Sequence, residues 1–120
     1  METKKNRINL TDTQRKLLNN IINKTKLDNQ IMLDKDKDGF DCVYNLERKQ
    51  KVTLRFAVQQ LNTIIACKLS NFTLLDVTIA EMYMYSELLE MLEIKNNPFE
   101  EEIIIQETVY SGNANGIWTD

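Results

Sequence analysis

The sequence predicts an α+β fold: one small domain of order α-β-β-α-α-β, with an antiparallel sheet covered by helices. Three observations carry that prediction. Apolar residues recur at helical spacing from Leu54 to Leu69, two capping boxes precede apolar runs, and apolar and polar residues alternate beyond Asp38-Gly39. A chain of 120 residues with 42% hydrophobic content is long enough to bury one core without disulfide or metal staples.

Thr11, with Gln14 three residues on and Leu10 ahead as a staple, opens a first helix over about Asp12 to Thr25. Leu17, Leu18, Ile21 and Ile22 form its apolar stripe, opposite Lys16, Asn19, Asn20 and Asn23. The run Ile31-Met32-Leu33 is too short for a helix, and Phe40, Cys42 and Tyr44 alternate with Asp41 and Val43, so these segments predict a hairpin. A charged corner from Glu47 to Lys51 leads into a second helix over about Thr53 to Leu69. Its core face is Leu54, Ala57, Val58, Leu61, Ile64, Ile65 and Leu69. Thr78 and Glu81 form the second capping box, starting a third helix near Ile79 that runs to about Glu93. Pro98 breaks the chain, and the β-branched richness of Glu101 to Tyr110 predicts a closing strand. Residues 1–9 and 111–120 read as irregular tails, and no repeat or linker divides residues 1–120.

The chain has no histidine, which excludes Ser-His and Cys-His catalysis within it. Two cysteines without histidine cannot complete a Cys/His zinc site, and three glycines, Gly39, Gly112 and Gly116, form no phosphate cradle. The expectation is a protein that is not an enzyme. Cys42 and Cys67 are too few for a secreted disulfide framework, and no segment approaches the roughly 18 uncharged apolar residues of a membrane span. A cytoplasmic location without membrane association is expected.

One stretch resembles a metal site. Asp34, Asp36 and Asp38, followed by Gly39 and Phe40, are spaced like the opening of an EF-hand loop, with oxygen ligands at the first, third and fifth positions and glycine at the sixth. The run from Asp34 to Cys42 also resembles the Excalibur calcium-binding module, Asp-x-Asp-x-Asp-Gly-x-x-Cys-Glu. Either resemblance implies calcium held by Asp34, Asp36 and Asp38. However, Asn45 stands at the twelfth EF-hand position, and Val43 stands where the Excalibur pattern has glutamate. Lys35 and Lys37 offset the charge a divalent cation needs, and Asp38-Gly39 suits a hairpin tip, which is the reading adopted.

Residues 1–60 carry 13 Lys/Arg against 8 Asp/Glu, whereas residues 61–120 carry 2 against 10, a split of +5 and −8. Lys4, Lys5, Arg7, Arg15, Lys16, Arg48, Lys49 and Lys51 could meet phosphate, which makes a DNA-binding regulator one alternative. Yet they lack interleaved aromatics, and an acidic pI of about 5.0 opposes the usual basic footprint, so nucleic acid is not the expected partner. Met82, Met84, Tyr85, Leu88 and Met91 span an apolar arc wide for one helix in a small domain. Phe56, with Gln60, Thr63 and Cys67, makes a smaller patch off the main apolar face of the second helix. Elimination, apolar excess and divided charge together predict a non-enzymatic protein-binding module. Its expected partner is another protein, including a second copy of itself. A small accessory, inhibitor or immunity-type protein of a phage or mobile element fits that profile, with a calcium-binding module as a further alternative.

Overall fold

Both capping boxes form, and each starts a helix where the sequence places one. The computed structural model describes residues 8–27, 29–71 and 75–114. In α1 (Asp12–Lys24) the Gln14 amide donates to Thr11 Oγ1 at 3.1 Å, while the Thr11 amide donates to Gln14 Oε1 at 2.9 Å. The strands β1 (Ile31–Lys35), β2 (Asp41–Asn45) and β3 (Gln50–Thr53) precede α2 (Leu54–Ser70), α3 (Ile79–Met91) and α4 (Glu100–Ala114). With glycine scarce, α1 and α3 both end through a non-glycine residue in the left-handed region, Lys26 at φ 62° and Glu93 at φ 56°. The amide after each, Leu27 or Ile94, closes back onto Ile22 or Leu89.

The sheet is antiparallel in the order β1-β2-β3. Its register aligns Leu33, Val43 and Val52 in one row, and this row packs into the core. Met32, Tyr44 and Lys51 share a row on the opposite face. The predicted hairpin is thus present, but the sheet has a third strand that the sequence reading lacks. Leu46 to Lys49 form a turn, with Lys49 at φ 56°, and return Gln50–Thr53 against β2. Only Val52 in that strand is an inward apolar residue, so four polar-leaning residues carry no strand signal of their own.

The closing strand expected over Glu101 to Tyr110 is instead part of helix α4. β-branched residues favour strands only where a pleated neighbour receives them. Here Asn97 Oδ1 accepts from the Phe99 amide at 2.9 Å, and three glutamates fill the first turn, where the helix dipole favours negative charge. Asn-Pro followed by acidic residues is a helix-start signal that the isoleucines obscured. Residues 111–114, expected to be irregular, complete α4, while 1–7 and 115–120 lie outside the described residues.

Leu18, Ile21 and Ile22 of α1, Leu54, Val58 and Ile65 of α2, and Tyr85, Leu88 and Leu92 in and after α3 form the centre of the core. Phe99, leading into α4, meets Tyr85 edge to face with ring centroids 5.4 Å apart. The Tyr85 hydroxyl donates to Asn62 Oδ1, and Asn62 Nδ2 donates to the Asn96 carbonyl at 2.6 Å, so α2, α3 and the α3–α4 connection share one buried polar chain. Burial pushes the Tyr85 phenol far up, keeping it protonated and able to donate.

Among the described residues two carboxylates are buried, and both are held by α1. Asp41 Oδ2 accepts from the Leu10 amide at 2.6 Å, Arg15 Nη2 lies 3.0 Å from Oδ1, and Lys35 Nζ lies 3.2 Å from it. The Asp41 amide donates in turn to the Ile8 carbonyl at 3.1 Å, tying the lead into α1 to the sheet. Glu81 Oε1 accepts from the Thr78 amide and from Lys24 Nζ at 2.7 Å, and Oε2 accepts from Asn20 Nδ2 at 3.1 Å. Burial alone would raise both carboxyls. The Leu10 amide, Arg15 and Lys35 outweigh it at Asp41, and Lys24, the Thr78 amide and Asn20 outweigh it at Glu81, so both titrate below their ordinary values.

A depressed folded-state pKa stabilises the fold fully above the ordinary carboxylate values of 3.8 and 4.5, and that stability is lost as pH falls through the lower folded values. Urea midpoints measured from neutral pH downward should therefore fall in acid. Asp41→Asn or Glu81→Gln should each cost about 2 kcal/mol at neutral pH and flatten the acid limb.

Candidate protein-binding groove

Met82, Met84, Tyr85 and Leu88, expected to meet another chain, are buried within this one. The arc they form is wide because α3 is packed by α1 and by α4, with the Phe99 ring between. A helix enclosed on several sides is apolar over much of its circumference. Met91, at the edge of that arc, is 36% exposed, and its sulfur accepts from Gln14 Nε2 at 3.8 Å. Phe56, on α2, is 42% exposed.

The aspartate loop joins β1 to β2 and satisfies its own backbone. Asp36 Oδ1 accepts from the amides of Asp38 at 2.8 Å and Phe40 at 3.0 Å, and the Asp36 amide donates to the Phe40 carbonyl at 2.9 Å. Gly39 supplies the φ of 87° that closes the turn. Asp34 lies on β1 paired with Cys42; its Oδ1 accepts from the Lys35 amide at 2.8 Å, and Lys51 Nζ is 3.8 Å from its Oδ2. Among the described residues, no group of three or more Cys, Asp or Glu side chains is arranged to hold a metal ion. The spacing that resembles a calcium loop is used here to turn a hairpin.

A groove of about 440 Å3 lies between α2 and the β2–β3 hairpin. On α2, Phe56, Gln60, Thr63 and Ile64 reach it because positions four and seven or eight apart share a helix face. Val52 of β3, Asn45 at the end of β2, Gln30 before β1, and Glu47 and Arg48 of the turn complete the lining. A smaller cavity of about 70 Å3 adjoins it, bounded by Leu27, Ile31, Ala57 and Leu61 as well. Apolar side chains, Val52, Phe56 and Ile64, therefore meet a wall of amides and a hydroxyl beneath one charge of each sign. Such a surface can seat an apolar anchor and bond a peptide backbone. Asn45 Oδ1 accepts from the Arg48 amide at 2.9 Å, which holds the turn at the groove's edge.

Phe56, Gln60 and Thr63, grouped as one patch in the sequence, line the groove together from α2. Val52, Asn45 and Arg48, which the sequence does not group with them, are brought across by the pairing of the third strand with β2. Cys67, grouped with the same patch, is an exposed free thiol outside the groove lining. Of the basic residues considered for phosphate, Arg15 is committed to Asp41, and Lys4, Lys5 and Arg7 lie outside the described residues. No protein-family model, curated protein or solved structure matches this chain. No helix among the described residues is long and apolar enough to cross a membrane.

Two substitutions check these placements. Leu88→Glu puts an unpaired charge in the core and should abolish cooperative folding, seen as loss of helical circular dichroism rather than release of a folded monomer. Asp36→Ala should lower stability by about 1 kcal/mol in urea titrations, whereas Asp36→Asn, whose side-chain oxygen can still accept the Asp38 and Phe40 amides, should lose much less.

Proposed function

We propose that this chain is a non-enzymatic protein-binding module whose contact surface is the groove between α2 and the β2–β3 hairpin. The observation that carries the proposal is Phe56: a large aromatic side chain left 42% exposed beside Val52 and Ile64, within reach of several amides. Aromatic side chains set in a concave, partly apolar site are the usual anchors of protein interfaces. Support for a role without catalysis comes from the side chains themselves. Histidine is missing from the sequence, and the buried carboxylates of Asp41 and Glu81 spend their oxygens on α1, the Leu10 amide and their own helix cap. The groove offers recognition groups, amides and a hydroxyl, in place of a paired nucleophile and base.

Phe56→Asp tests the proposal, because the ring is exposed enough for the change to spare the fold. Tagged wild-type protein should retain a stoichiometric partner from a lysate of its source cells. Phe56→Asp, with an unchanged circular dichroism spectrum, should lose that partner, with affinity for the purified partner reduced at least about tenfold. Identical retention by both proteins, or retention by neither when the wild type is also monomeric, would reject the groove as the contact surface.

A further inference from the structure

Helix α4 carries uncovered apolar side chains. Its root is fixed: Phe99 is buried against Tyr85, Ile103 packs on the core, and Glu107 Oε2 accepts from the Tyr83 hydroxyl at 2.5 Å. Ile104 and Ile105, by contrast, are 53% and 54% exposed. Around them stand Glu100, Glu101, Glu102 and Glu107, and the sequence contains no Lys or Arg after Lys95. An acidic helix displaying adjacent isoleucines calls for a basic surface with an apolar floor. This chain has such a surface. The floor of the groove is Val52, Phe56 and Ile64, and the turn bordering it carries exposed Arg48 and Lys49 against Glu47.

We infer that α4 of one copy docks in the Phe56 groove of a second copy, with Ile104 and Ile105 on the apolar floor and Glu100 to Glu102 facing Arg48 and Lys49. The inference rests on reading the groove as a protein-binding site and names its occupant. Each copy has one helix and one groove, so two copies can satisfy each other reciprocally and close as a twofold dimer. The same arrangement gives the +5 and −8 halves of the sequence a joint use: the basic half of each copy faces the acidic half of the other.

Sedimentation velocity on the full chain across concentration and salt tests this. The wild type should dimerise, with a dissociation constant that rises with ionic strength. Ile104→Ser with Ile105→Ser should raise that constant at least tenfold while leaving the circular dichroism unchanged, since neither side chain is buried. Arg48→Glu, an independent change at an exposed turn, should weaken the dimer, and adding Glu101→Arg to it should restore part of the loss. A wild type that stays monomeric at the highest attainable concentration overturns the inference, as does a dimer insensitive to the isoleucine changes or to Phe56→Asp. If Phe56→Asp releases a foreign partner from a monomeric wild type, self-docking fails while the groove reading stands. If the wild type is monomeric and Phe56→Asp releases nothing, both fail.

Discussion

The attachment of α1 through two buried carboxylates is the constraint on which the rest of the structure depends. Asp41 lies at the start of β2 and Glu81 in the first turn of α3, 40 positions apart in the sequence, and each draws a cation from α1, Arg15 or Lys24. A carboxylate removed from water is costly unless its oxygens are filled, and here amides and cations fill them. The helix cannot shift along its axis without emptying one site or the other. Its apolar stripe of Leu18, Ile21 and Ile22 is thereby set in register with the sheet and α3 together.

Glu81 shows how a local signal acquires a tertiary use. As a capping-box residue it needs only one oxygen for the Thr78 amide, a feature of helix starts in general. Its remaining capacity accepts from Lys24 and Asn20, and the cap becomes a joint between helices. Asn62 has a similar double use, taking the Tyr85 hydroxyl on its oxygen and giving its amide hydrogens to the Asn96 carbonyl. No buried side-chain nitrogen or oxygen among the described residues is left without a partner.

With the core closed in this way, the apolar side chains left exposed include Phe56 at the groove and Ile104 and Ile105 on α4. Phe56 and the turn beside it lie in the basic half of the sequence, and the Ile104–Ile105 pair lies in the acidic half. The association proposed above would use both, because burying either against another chain recovers solvation free energy in proportion to its area.

How far the sequence reaches follows from the range of each interaction. Helices α1, α2 and α3 and the β1–β2 hairpin are legible in it because their causes are local: Thr11 with Gln14, Thr78 with Glu81, the periodic leucines of α2, and the turn at Asp38-Gly39. The same residues identify the Phe56, Gln60 and Thr63 side of the groove. Tertiary structure alone decided what depends on neighbours. Strand β3 exists because β2 offers it an edge, and residues 101–110 are helical because they follow the Asn97 cap and pack on α3. Met82, Met84 and Leu88 are core rather than surface because α1 and α4 cover them, and the spacing of apolar residues along a helix is the same whichever chain supplies the cover. Sequence alone thus determined which faces must be buried, while the long-range pairings of Asp41 and Glu81 with α1 decided what buries them.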